Sequence, residues 1–531
     1  MFTRCRYMSL DDMEEQETDA LNRKEKEKPI DEDGTVVPLA NSTIDRGLAW
    51  SNAVKQGIAC VIAHSLVIQA GINMAYSAVL LPQLFADGTD LKITMEESTW
   101  IASIVTLALP PGSLVVGPLM DKFGRKKICM LTAIPFMCSW IIQGRATAVW
   151  HMYVARVLAG LAAGLSTVSI VYVSEISHPN FRPMFLSLNS VFVSFGILIT
   201  CIFGTLFDWR IMALIYCGIS AFSFVALFFV PETPHWLATF KDDSSGAARS
   251  LKWTYPEQEV FETQYNLFIE SRRQTNSGAT CEKQLEQLDG FNSTSQLKKL
   301  KRYLISYRDP IVYKPLVILT LLFLFQQLSG AYVIIFYAVD LFRKIGGEFR
   351  KSIDAFTALV LLGSFRFVMS IISTILSKKV GRRALLITSG VGMSFTSLIA
   401  GLYMYLTVER EQLAKLHIIE DQQEDNVTLI CVLGYVCFSA VGFLIIPWTL
   451  IGELLPVRVR GVLGGFLVAM AYVFMFGLVK VFPYLLESLK VQIIFFGMSV
   501  LNFVAVCFIF FFLPETFGKT FAEIEGYFKK S

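Results

Sequence analysis

Apolar residues in this chain come in long runs, not in the short alternations that mark half-buried strands or surface helices. Twelve runs of about 20 residues can be marked, at 59–81, 100–120, 127–146, 151–172, 183–206, 211–231, 316–338, 354–377, 384–406, 427–451, 462–486 and 491–513. As a helix rising about 1.5 Å per residue, each run crosses a hydrocarbon layer about 30 Å thick. A polar segment at 238–312 divides the runs into two sets of six. The pattern predicts an all-α membrane protein of twelve transmembrane helices in two six-helix bundles.

Composition agrees with that reading and narrows the function. Of 531 residues, 54% are hydrophobic and 17% charged, with a mean hydropathy of +0.52. A soluble chain carries about a quarter charged residues, so the apolar excess needs the lipid bilayer as its partner. This excludes a soluble enzyme, a nucleic-acid binder and a secreted scaffold. A net charge of +3 carries no message about partners. No two cysteines form a Cys-x-x-Cys pair and most lie within apolar runs, so no disulfide framework is expected. Residues 1–57 are rich in Asp, Glu and Lys and lack the apolar core of a signal peptide, which predicts a disordered tail.

Lysine and arginine in short loops orient the chain. The loops Asp121 to Lys127, Ser377 to Arg383 and Arg458-Val459-Arg460, with Lys529-Lys530, fall on one side together with both termini. That side is predicted to be the cytosol, and the acidic loop 408–426 to face outward. Arg343, Lys344, Arg350 and Lys351 fall on the outer side against this rule.

The two halves repeat. Gly117-Pro118-Leu119-Met120-Asp121-Lys122-Phe123-Gly124-Arg125-Lys126 follows the second run, and Lys378-Lys379-Val380-Gly381-Arg382-Arg383 the eighth. Glu175 precedes Arg182 by seven residues after the fourth run, as Glu453 precedes Arg460 after the tenth. Pro231-Glu232-Thr233-Pro234 closes the first half and Pro514-Glu515-Thr516 the second. Three motifs recurring in one order mean a duplicated six-helix unit, and repeats in a transporter-like chain are a pointer to mechanism. Acids and arginines on different helices at one membrane surface can join the bundles in one state and part in the other. Glu175, Arg182, Glu453 and Arg460 are the residues expected to do so.

Polar groups within the runs mark the candidate solute site. Gln326, Gln327 and Ser329 interrupt the seventh run, and amides offer donors and acceptors without charge, as a neutral polyhydroxylated solute requires. Pro447-Trp448 breaks the tenth run and leaves an aromatic face suited to sugar C–H groups. Arg156 precedes Gly160 and Gly164, a small-residue pair suited to close helix packing. Arg366 lies twelve residues before Lys378, about 18 Å along its helix and so near mid-membrane. No phosphate-binding loop and no metal-ligand motif is present, so neither an enzyme nor a cofactor is predicted.

On Gly117 to Lys126, Arg156-x3-Gly160-x3-Gly164, Tyr172-x2-Glu175, Pro231 to Leu237, Gln326-Gln327-Leu328-Ser329-Gly330, Pro447-Trp448 with Glu453, and Pro514 to Thr520, the chain resembles the sugar transporter family of the major facilitator superfamily, and within it the insect facilitated trehalose transporter-like members. The resemblance covers about 58 to 528. It implies the major facilitator fold with cytosolic termini: a tail at 1–57, a bundle at 58–237, a cytosolic linker with short helices at 238–312, a bundle at 313–513 and a tail at 514–531. It also implies a facilitative carrier in the plasma membrane, working as a monomer by alternating access on a sugar such as trehalose or a hexose. The solute site then comprises Gln326, Gln327, Trp448, Arg366, Tyr332, Ser190 and Asn73, and the cytosolic gate Asp121, Arg125, Arg156, Glu175, Arg182, Glu232, Arg382, Glu453, Arg460 and Glu515.

The chain departs from the family at that site. Ser190 stands where glucose carriers have a glutamine, Tyr332 and Arg366 where they have asparagines, and Ala440 with Gly442 to Ile445 replace an acid and a Gly-Pro run. Two alternatives stay open on these residues: a solute sensor that keeps the fold without transporting, and a carrier of an organic anion. Asn73 matches the aspartate of proton-driven relatives and cannot titrate, so facilitated diffusion is expected.

The orientation is checked by glycosylation. Sequons stand at Asn41, Asn292 and Asn426, and only Asn426 falls outside the cell in this topology. Glycosidase treatment should change the gel mobility of the wild type and not of Asn426→Gln. A glycan on Asn41 or Asn292 reverses the orientation.

Overall fold

The computed structural model describes residues 43–86, 91–178, 181–258, 260–266, 268–269, 309–345, 355–377, 379–415, 427–519 and 521–530. The three sequon asparagines, Lys378, the body of the central segment and the acid-rich part of loop 408–426 lie outside the described residues, as does the side chain of Arg460.

Among the described residues, twelve helices are long and apolar enough to cross a membrane. They are numbered here as spans: 1, Val54–Leu84; 2, Met95–Phe123; 3, Arg125–Gly144; 4, Val149–Ile176; 5, Arg182–Leu206; 6, Trp209–Phe229; 7, Pro310–Phe336; 8, Ala355–Leu376; 9, Arg382–Thr407; 10, Val427–Leu454; 11, Leu463–Ser488; 12, Val491–Phe512. Each overlaps one predicted run. The helix of span 1 begins earlier, at Thr43, so residues 43–57 are helical and are not the disordered end of the expected tail. No proline occurs from 43 to 81 to stop the helix.

Large apolar side chains such as Phe222, Phe229 and Phe511 point outward, more than 70% exposed. This is the surface expected of a chain whose outer solvent is lipid. Glycines set the closest approaches inside. A Cβ on Gly160 or Gly164 of span 4 would run into the carbonyls of Val105 and Leu109 on span 2, so the small-residue pair does bring two backbones together.

Three spans are broken. Span 4 is interrupted at Ser166 and Thr167. Span 7 stops at Leu328, turns through Gly330 at φ 84° and resumes over Ala331–Phe336. Span 10 runs Val427–Val441, unwinds at 442–445 and resumes over Ile446–Leu454. The break thus precedes Pro447, which opens the second helical segment, where its missing N–H has no partner to lose.

Span contacts across the two halves run through spans 2 and 11, spans 5 and 8, and spans 1 and 7. On the face away from the Gly-Arg turns, spans 1 to 6 share one continuous apolar core with spans 7 to 12. On the turn face, the core of the first half (Ala59, Ile128, Tyr172 and Phe185 among others) contains no residue of the second half. The described structure is therefore sealed at the face away from the turns. Beyond span 7, the helix Ala338–Ile345 covers that sealed face. Its Lys344 donates to the Leu486 carbonyl near the end of span 11, at 2.8 Å. A cation at a helix C-terminus is favourable, which explains a basic residue where the loop-charge rule expects none.

Gly330 makes the turn that breaks span 7. Its φ is left-handed, and a Cβ would collide with the Met498 methyl. Gly330→Ala should lower stability by about 1–3 kcal/mol, read as a drop in melting temperature of the detergent-solubilised protein, while Gly218→Ala, where a Cβ meets nothing, leaves it unchanged.

Candidate functional site

The charged residues assigned to the gate form two clusters, one in each half, built alike. In the first, Gly124 takes φ 100° and starts span 3. The Glu232 carboxylate accepts from the N–H groups of Arg125 and Lys126 at 3.0 and 2.9 Å, where the helix presents unpaired donors. Burial pushes the Glu232 carboxyl above its usual range, against the pull of those amides and Arg125. The Arg125 guanidinium reaches Glu175 at the end of span 4 at 3.0 Å and Asp121 at 3.3 Å. In the second half, Glu515 accepts from the N–H groups of Arg382 and Arg383 at 2.8 and 3.2 Å. Arg382 pairs with Glu453 at 3.1 Å.

In the described structure Glu175 is paired with Arg125, and Arg182 donates to the Ser177 carbonyl at 3.4 Å. Glu453 likewise is paired with Arg382. Each pair lies within one half, because the start of one span and the end of the next lie on the same face of the bundle. Arg156 does not belong to the gate. It lies nineteen residues before Glu175 on span 4, about 28 Å along the helix, in the half of the membrane away from the turns. There it is fully buried, donates to the Asn73 carbonyl and Ser77 Oγ at 3.3 and 2.9 Å, and sits over the Tyr76 ring at 5.1 Å.

The residues assigned to the solute separate into scaffold and surface. Gln326 is fully buried and donates to the Phe443 carbonyl, at 2.5 Å, inside the unwound stretch of span 10. The Phe443 N–H is taken by Ser389 Oγ at 3.1 Å. Reciprocally, the Tyr435 hydroxyl of span 10 donates to the Ser329 carbonyl at the break in span 7, with Asn502 of span 12 on the same hydroxyl at 3.3 Å. Gln326 is thus committed to holding two broken helices together. Gln327 donates weakly to Gln326 at 3.4 Å and leaves its own Oε1 without a partner.

The breaks bring Tyr332, Trp448 and Arg366 into one neighbourhood. Trp448 Nε1 donates to the Tyr332 hydroxyl at 3.3 Å. Its ring meets Phe323 edge-on at 4.9 Å and lies 5.5 Å from Tyr472 of span 11. Trp448 and Tyr472 are only half-buried although they lie inside the bundle, and Tyr472 packs against Leu109, Phe136 and Ala162 of the first half. Arg366 is buried, interacts electrostatically with Tyr332 and Cys201, and has an Nε without a partner. Gly363, one turn earlier, brings span 8 against Leu198 and Cys201 of span 5. Asn73 is buried on span 1, where its Nδ2 donates to the Gln69 carbonyl and its Oδ1 is unpartnered. Ser190 lies half-buried on span 5, and no recorded bond joins it to the others. Tyr472 and Phe323 were missed by sequence reasoning, since an aromatic residue in an apolar run carries no signal of its own. Among the described residues no group of three His, Cys, Asp or Glu could hold a metal ion.

This arrangement, aromatic faces and unpaired amide and guanidinium atoms at the seam of two duplicated halves, fits a neutral or hydroxyl-rich solute. Known proteins agree. The family model described as "Sugar (and other) transporter" matches residues 59–528. A facilitated trehalose transporter of Bombyx mori is 30% identical over 94% of this chain and 91% of its own length. One of Drosophila virilis is 28% identical over 87% of this chain but 47% of its own. Among solved structures, a proton:xylose symporter bound to 6-bromo-6-deoxy-D-glucose is 19% identical, with a TM-score of 0.65 over 90% of this chain and 100% of that one.

If Gln326 is scaffold, its loss registers in stability before affinity. Gln326→Leu leaves the Phe443 carbonyl buried and unpaired, which costs about 1–3 kcal/mol, and should lower the melting temperature. Gln327→Leu should leave the melting temperature near wild type and weaken sugar binding. Equal melting temperatures for the two variants would contradict the division.

Proposed function

The chain belongs to the sugar (and other) transporter family, a multi-pass membrane carrier of sugars and not an enzyme, and on that premise we propose that its solute is trehalose or a hexose, taken across the plasma membrane by facilitated diffusion. The reading rests on one observation above others. Trp448, Tyr332, Phe323 and Tyr472 form an aromatic surface at the seam, and Trp448 and Tyr472 keep area to spare for a sugar's C–H face. Gln327, Asn73 and Arg366 each hold a polar atom without a partner, the kind of group that hydroxyls satisfy. The similarity to transporters favours a carrier over the sensor that the altered site left open.

Alternating access follows from the duplicated clusters. With the turn face as the cytosolic one, the described state is sealed outside, and the Arg125 and Arg382 clusters are the ends that meet when the inside closes. Arg182 and Arg460 complete them in that state. A monomer suffices, since both halves of the site come from one chain. Coupling to protons needs a titratable group in the site, and Asn73 supplies none.

Arg366 carries the sharpest test. A guanidinium at this depth costs about 2.5 kcal/mol or more unless a partner or water meets it, and a solute hydroxyl would be that partner. Vesicles holding the purified protein, offered labelled glucose, trehalose and polyols, should take up one of them to equilibrium and no further. Collapsing a pH gradient should change nothing, and Arg366→Ala should abolish uptake with expression intact. Concentrative uptake lost with the pH gradient would refute facilitated diffusion. Normal affinity in a folded Arg366→Ala protein would remove the arginine from the site.

A further inference from the structure

Lys480 is an ionisable residue inside span 11, about 12 Å from the helix end at Ser488. A lysine alone at that depth extends its stem to the nearest water. This one turns across the seam to the other half of the molecule. Its Nζ lies over the ring of Trp100 on span 2, 4.0 Å from the centroid, and donates to Thr99 Oγ1 at 2.6 Å. Thr99 is fully buried and spends its own hydroxyl hydrogen on the Glu96 carbonyl at 2.8 Å, so its oxygen is left free to accept. Glu96 itself lies within electrostatic reach of the ammonium. Phe476, one turn before Lys480, meets the same Trp100 ring at 6.0 Å.

From this we propose that Lys480, Trp100 and Thr99 form a latch that holds the carrier closed on the face away from the Gly-Arg turns. The three residues belong to opposite halves and lie at the ends of spans 2 and 11 that must separate for that face to open. Opening takes the ammonium off the indole and out of Thr99's reach. The cation–π contact and the charged hydrogen bond therefore exist in one state of the cycle only, and a ligand or contact shifts an equilibrium only through such a difference between states. The turn-face clusters contain their pairs within each half. This latch instead joins the halves directly, and it sets how the carrier rests in the absence of solute.

Deuterium exchange of the full chain in nanodiscs tests it, because a latch and a mere packing contact move the two faces differently. Lys480→Met should shift the ratio of the two states roughly fivefold. Uptake then rises at the ends of spans 2 and 11 near Thr99 and Lys480 and falls at the turn-face ends near 182–190 and 457–465. Thr99→Val should move both faces the same way by less, and Lys480→Arg should keep the wild-type pattern. The double variant Lys480→Met with Thr99→Val should shift no further than Lys480→Met alone, since the threonine oxygen joins the other half only through the ammonium. Unchanged exchange, a rise at both faces at once, or additive effects of the two substitutions would each overturn the latch.

Discussion

In hydrocarbon a backbone N–H or C=O has no water to fall back on, and that constraint governs the centre of this protein. Spans 7 and 10 are both broken at mid-membrane, and each supplies what the other lacks. Gln326 of span 7 serves the Phe443 carbonyl of span 10, and Tyr435 of span 10 serves the Ser329 carbonyl of span 7. Ser389 from span 9 and Asn502 from span 12 complete the exchange. Neither break would be stable alone. Together they set the short segments carrying Tyr332 and Trp448 at the seam, where unbroken helices would carry those side chains elsewhere. The polar residues of the broken spans thus do two jobs, and the amides nearest the break are spent on the first.

Charge is handled by the same economy of partners. The glutamates that follow spans 6 and 12 cap the first turns of spans 3 and 9, and the arginines at those turns are held by acids at the ends of spans 4 and 10. Each half thereby ties its own turn-face end together. Links between the halves lie elsewhere. Besides the Lys480 contacts with Thr99 and Trp100, they run through small residues, as at Gly363 against Cys201, and through aromatic contacts, as between Phe195 and Phe367 at 5.6 Å. The small-residue and aromatic contacts slide and part at little cost, as a rocking interface requires.

Arg156 and Arg366 show two ways of burying a cation. Arg156 is supplied from within its own half by a backbone carbonyl, a hydroxyl and the face of Tyr76. Arg366 has the phenol of Tyr332 and the thiol of Cys201 nearby, the latter from the other half. The recorded neighbours of Arg156 thus come from one half, and those of Arg366 from both.

The fold was legible in the sequence because each of its signals is local or repeated. Run length fixes the spans, Gly160 and Gly164 announce a close crossing, and three motifs in one order announce the duplication. The site was legible in its residue types but not in their roles. Nothing along the chain tells that Gln326 is committed to a carbonyl over a hundred residues away while Gln327 keeps a free oxygen, since adjacent amides differ only in the direction they face. Lys480 shows the same limit: its charge is visible in the run, but its partners on span 2 come from the packing of one half on the other. The sequence determined which groups must find partners in the membrane; tertiary structure decided which partner each one has, because satisfaction in a medium without water is settled between spans and not within them.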